Sequence, residues 1–204
     1  MDHADRSQLG FADAVRESFS FLVRDLGYSL ARSEVTFVRY ESGKLFLNVF
    51  HGRSSFALGV EIGRQQVIRN ALSEQKYALE TFMGISRDQG NLQGYWTRDA
   101  EQLRRFVAHL ASLTRRYAWG ALKGDEAAFE AARAFNSDWS RRYLEGIEAS
   151  RLRASGDDAW HARDWPRVID VYERLLQLKT ADARGSEIGR LRYARKKLGF
   201  EREA

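Results

Sequence analysis

The sequence predicts an α+β protein in which an N-terminal helix packs on an antiparallel three- or four-stranded meander and an all-helical C-terminal half follows. Three observations carry that expectation. Apolar residues recur at three- and four-residue spacing over 8–26, β-branched and aromatic runs separated by turn residues fill 34–62, and helical stripes dominate from Thr97 onward.

The first helix rests on Phe11, Ala14, Val15, Ser18, Phe19, Leu22 and Val23, and Gly27 stands where a left-handed residue ends a helix. Glu34–Tyr40 then turns β-branched and aromatic, Ser42-Gly43 supplies a turn, and Lys44–Phe50 completes a hairpin signal. A third strand is expected at Ser55–Ile62, with Phe56, Leu58, Val60 and Ile62 on one face. On its other face, Gly59 and Gly63 read as small residues where a helix approaches. From Arg64 the pattern is helical but uneven, and residues 84–96, with three glycines, form the clearest loop. Two parts result: an α+β unit over 1–90 and a helical unit over 97–204, docked as one body.

Thr97 is a good N-cap for a helix striped by Leu103, Phe106, Val107, Leu110, Leu113, Thr114 and Tyr117, closed by Gly120 and Gly124. Asp125 caps another, which carries Phe129, Ala132, Asn136, Trp139 and Tyr143. Residues 149–180 resemble one tetratricopeptide-type helical hairpin. Gly156, Ala159, Asp164, Trp165, Val168, Ile169, Tyr172, Leu175 and Leu176 stand where that repeat places its small residues, turn and core. Thr180 and Leu152 depart from the pattern, and Ser186–Leu198 offers a following helix with Tyr193 at a matching position. A lone hairpin cannot bury its own apolar face, so the pair at 97–146 is the expected surface for it to dock on.

Composition narrows the chemistry. With no cysteine, disulfides, thiolate metal sites and a nucleophilic thiol are excluded. The sequence opens MDHADRSQLG, without the basic-then-apolar order of a secretory signal, and no apolar run approaches bilayer-spanning length; the cytoplasm is the expected location, with no membrane partner. The four histidines lack helical zinc spacing, no phosphate loop, dinucleotide fingerprint or nucleophile elbow is present, and no metal or cofactor is expected. A metal-dependent hydrolase would have to be built on Glu61, with only Arg64 near it on the third strand.

The net charge of +5 lies wholly in 91–204, which holds 22 basic and 17 acidic residues against 11 of each in 1–90. Much of it falls in the last helix, where Arg190, Arg192, Arg195, Lys196 and Lys197 either contact an acidic surface or phosphates, or complement the helix dipole. Tyr95, Trp96 and Trp119, beside a loop and at a helix end, are the aromatic candidates for anchoring a partner. The run Val38–Gly43, the strand Leu47–Phe50, Leu58–Gly63 and the first helix with Gly27-Tyr28 together resemble a loose group of small bacterial immunity-like and uncharacterised α+β proteins, over residues 8–130. That resemblance implies neutralisation of a toxin by direct binding and supplies no functional residue. The expected function is a non-enzymatic protein-binding module, with a nucleic-acid-associated protein using the basic helix as the alternative; the sequence leaves the oligomeric state open.

Overall fold

The computed structural model describes residues 6–53, 55–68, 71–86, 95–178 and 185–200. They form an α+β fold: helices α1 (Phe11–Ser18) and α2 (Ser20–Leu26), strands β1 (Ser29–Glu34), β2 (Phe37–Ser42), β3 (Leu45–His51), β4 (Leu58–Ile68) and β5 (Ala71–Ala78), then helices to the end. These are α3 (Leu79–Ile85), α4 (Ala100–Tyr117), α5 (Trp119–Leu122), α6 (Glu126–His161), α7 (Trp165–Gln177) and α8 (Gly185–Lys197). The chain divides into two compact units, 1–135 and 136–204.

In the first unit the five strands pair antiparallel in sequence order. Alternation sends Val38, Tyr40, Leu47, Val49, Val60 and Ile62 to one face, where they meet Phe11, Val15, Phe19 and Leu22. Leu103, Val107 and Leu110 of α4 join the same core, so the helix that the sequence reading grouped with the C-terminal half packs with the sheet. The expected first helix is broken at Phe19, and Gly27, at φ 69°, ends its second part as expected.

The sheet is larger than the expected meander. β1 and β5 are edge strands, and β4 runs on to Ile68 where a helical pattern had been read. Gly59 and Gly63 are small for a different reason from the one expected. On the face away from the helices, Phe50 lies across from Gly59 and Phe46 across from Gly63, and a Cβ at either glycine would run into the facing ring. Arg39 covers Phe46, its guanidinium carbon 4.1 Å from the ring centroid, and holds Glu41 at 2.6 Å and Glu74 at 2.8 Å.

Capping also differs. Asp99, not Thr97, accepts from the Gln102 amide at 2.7 Å; Thr97 is fully buried and its hydroxyl donates to Gln102 Oε1 at 2.6 Å. Asp125 does cap α6, accepting from the Ala127 amide at 3.0 Å. Most of the expected loop 84–96, residues 87–94, lies outside the described residues; Gly84 belongs to α3, packed against Phe135.

The second unit is built from 136–161 of α6, from α7 and from α8. The sequence reading had a new helix begin near 149; instead α6 is one 36-residue helix. The hairpin stripe Val168, Tyr172 and Leu175 finds cover within this unit, against Ala149, Leu152 and Ala159 of α6 and Leu191 and Ala194 of α8. Asp164 caps α7, accepting from the Arg167 amide at 3.3 Å, and Pro166 sits in its first turn, where no amide is missed. Gly146 stands inside α6 with open space where its Cβ would be, at a cost of about 1 kcal/mol relative to alanine.

His51, buried on β3, donates from Nε2 to the Thr97 carbonyl at 3.2 Å and stacks on Phe11. Burial above all, and the nearby Arg6 guanidinium, hold its imidazole below the usual 6.5, so it folds uncharged. The unfolded chain therefore binds the proton more readily, and the His51 contribution is complete above about pH 6.5 and lost as pH falls through the depressed folded value. Urea unfolding of the wild type should show lower stability at pH 5 than at pH 7.5, and His51→Gln should flatten that slope. An unchanged slope in the variant would place the proton uptake elsewhere.

Candidate functional site: an aromatic and basic cup

The turn between α6 and α7 is set by backbone chemistry. The Asp164 amide donates to the Ala159 carbonyl at 2.9 Å and the Arg163 amide to that of Trp160 at 3.1 Å, the paired bonds that close a helix through a left-handed residue. That residue is Arg163, at φ 57°, where glycine is the usual occupant. The chain reverses in three residues, so Trp160 at the end of α6 faces Trp165 at the start of α7, their centroids 5.5 Å apart and planes at 72°.

Tyr193 of α8 completes a triangle, 5.3 Å from Trp160 and 5.5 Å from Trp165, each pair edge to face. Around it lies a cup of about 570 Å³ lined by Trp160, His161, Arg163, Trp165, Tyr193 and Lys197. Among the described residues the lining holds aromatic rings and basic side chains and no carboxylate. Lys197 Nζ stands 5.3 Å over the Tyr193 ring, and the Arg190 guanidinium carbon 5.4 Å over Trp160.

Arg190 is held from behind by Asp157, and its Nη1 donates to the Tyr172 hydroxyl at 2.9 Å. Burial pushes the Tyr172 phenol up, so it stays protonated at neutral pH and offers Arg190 a neutral oxygen. The hydrogen bonds that Arg190 donates to the Tyr172 hydroxyl and the Asp157 carboxylate in turn raise its guanidinium. Tyr172 reaches this position because α6 has a glycine beneath it: a Cβ at Gly156 would come within 2.8 Å of the Tyr172 ring.

Of the residues singled out in the sequence, the structure brings Arg190 and Lys197 to the cup. Arg195 is paired with Glu173 at 2.8 Å, and Arg192 and Lys196 are exposed on α8. Tyr95, Trp96 and Trp119 belong to the first unit. Tyr95 packs against Phe106 and His109, Trp119 against Phe21 and Arg115, and Trp96 is 54% exposed with Arg98 beside it. Glu61 is held by Lys76 and Asn48, each through a contact of about 3 Å. Among the described residues no group of three or more His, Asp and Glu could hold a metal ion, and no helix is long and apolar enough to cross a membrane.

Sequence reasoning missed Trp160, His161 and Arg163, and treated Trp165 and Tyr193 as repeat core. One signal was present: two tryptophans straddling Arg163-Asp164, with an arginine in the slot where a helix-ending glycine belongs. No family model, curated protein or solved structure compared with the chain matches it.

Arg163 holds a strained backbone while its side chain lines the cup. Removing the strain should stabilise the fold: Arg163→Gly is expected to raise the unfolding free energy by about 1 kcal/mol in urea denaturation. A loss of stability instead would mean that the Arg163 side chain is a packing element.

Proposed function

We propose that this chain is a non-enzymatic protein-binding module whose aromatic and basic cup receives an acidic segment of a partner protein, a carboxylate meeting Arg163 and Lys197 while an apolar side chain rests on the Trp160, Trp165 and Tyr193 triangle. The observation that carries this reading is a partly exposed cluster of two tryptophans and a tyrosine, rimmed by cations and, among the described residues, lined by no carboxylate. Trp, Tyr and Arg are the side chains that dominate protein interfaces. Toxin neutralisation, which the resemblance over residues 8–130 implies, is one narrower form of such binding.

Nucleic-acid binding is the reading this arrangement favours less. Much of the positive charge of the second unit is already spent on internal pairs: Arg190 with Asp157, Arg195 with Glu173, Arg153 with Glu187, Arg174 with Glu148, and Arg141 and Arg142 with Asp138. A backbone-tracking groove needs a continuous row of cations, and its binding falls steeply with salt.

Selection from a random-peptide display library against the full chain tests the proposal. Enriched peptides should place Asp or Glu beside an aromatic or aliphatic residue. Arg163→Ala and Lys197→Ala should each weaken the best peptide about tenfold, or ~1.4 kcal/mol. Enrichment of no such motif, or tighter binding of a single-stranded oligonucleotide that displaces the peptide, would contradict it.

A further inference from the structure

Arg174, Arg190 and Arg195 of α7 and α8 each hold a carboxylate of the second unit. The cup is the exception to that pairing: among the described residues no carboxylate pairs with His161, Arg163 or Lys197, and all three line it. Asp164, next to Arg163 in the chain, is turned to the Arg167 amide, and Asp157 is held by Arg190. Two full positive charges and a third hydrogen-bond donor, the His161 ring, therefore border one space of about 570 Å³. A strained backbone places one of them. Arg163, at φ 57°, occupies the slot where the turn favours glycine, so a guanidinium stands at this corner of the cup against the local preference. The rings differ as well. Arg190 lies over Trp160 and Lys197 over Tyr193, whereas among the described residues no cation lies over Trp165, which is half-buried and gives the cup an apolar wall beside the cations.

We infer, resting on the reading of the cup as the receptor of an acidic segment, that the acidic group it fits best is a phosphomonoester on a side chain of that segment. A single carboxylate neutralises one of the two full charges, Arg163 or Lys197, and leaves the other without a counter-charge in a filled cup. A phosphomonoester carries about −1.5 to −2 charge at pH 7 and three acceptor oxygens, which matches two cations and three donors. A planar guanidinium can also grip it through two parallel bonds, each about twice as strong as a neutral hydrogen bond. The residue beside the phosphorylated one then rests on Trp165, the ring with no cation over it. Other phosphates satisfy only part of the cup. Each phosphodiester of a nucleic-acid backbone carries one charge and repeats the shortfall of the carboxylate, and inorganic phosphate brings nothing to lie on Trp165.

Three peptides of one sequence, Gly-Phe-X-Phe-Gly with phosphoserine, glutamate or serine at X, separate these cases when titrated calorimetrically into the full chain. The phosphoserine peptide should bind about tenfold tighter than the glutamate peptide, and the glutamate peptide tighter than the serine peptide. Lys197→Gln and His161→Ala, both at exposed positions, should leave the circular dichroism unchanged and bring phosphoserine to within about threefold of glutamate. Equal binding of the phosphoserine and glutamate peptides, both above serine, would overturn the phosphate assignment and leave the acidic-segment reading standing. Binding of none of the three would remove both. A phosphoserine preference that survives both substitutions would place the phosphate elsewhere on the chain and overturn the assignment. So would displacement of the phosphoserine peptide by an equal concentration of inorganic phosphate or of a single-stranded oligonucleotide, which would hand the cations to a free anion or to nucleic acid.

Discussion

One polar junction links the three helices of the C-terminal unit at the edge of their apolar core: Arg190 of α8 reaches Asp157 of α6 and the Tyr172 hydroxyl of α7, while the Tyr172 ring lies over Gly156. Each helix contributes a member. Because the phenol stays neutral and the guanidinium is paired behind, Arg190 can stand over Trp160 without an uncompensated charge near the apolar interior. The turn at Arg163 sets Trp160 against Trp165, and this junction ties α8, which carries Tyr193, to the same two helices. Glycine at 156 is therefore a packing requirement, and its loss would push α7 away from α6 and separate Trp160 from Trp165.

The first unit follows a different economy of space. Its sheet buries one face under helices, and on the other two large rings, the buried Phe46 and the half-buried Phe50, are laid over the glycines of the neighbouring strand. Ion pairs then cover that surface, with Arg39 bridging Glu41 and Glu74 and Lys76 meeting Glu61. Acidic and basic groups on this face pair with one another, in contrast to the cup, whose lining among the described residues includes cations and no carboxylate.

Legibility in the sequence tracked how locally each feature is determined. The hairpin of β2 and β3 was readable because its residues alternate and are β-formers in their own right, and Gly27 because a helix end needs a left-handed residue there. The edge strands were not: Ser29–Glu34 is exposed almost throughout, and Ala71–Ala78 is rich in residues that favour helices, so both owe their state to pairing with a neighbour. Continuity of α6 was hidden because its first part was read as a helix capped at Asp125 and its last part as the opening of a repeat hairpin at 149; the structure carries one helix through Gly146 and Gly156 despite the low helix propensity of glycine. At the site, Arg190 and Lys197 stood out as part of a basic run, but Trp160, Trp165 and Tyr193 meet only after three helices pack. The strain at Arg163 is a property of the backbone that residue identity alone does not reveal.

A basic helix thus divides into cations that hold the fold, such as Arg190 and Arg195, and one at the rim of an aromatic surface, Lys197. The reading of that surface as a receptor for an acidic segment is tested most directly by nuclear magnetic resonance of the five tryptophan indole N–H groups, titrated with a peptide alternating glutamate and phenylalanine. The Trp160 and Trp165 signals should shift together and saturate, while those of Trp96 and Trp119 stay in place. Shifts confined to Trp96 or Trp119, or no shift in any of the five, would contradict it.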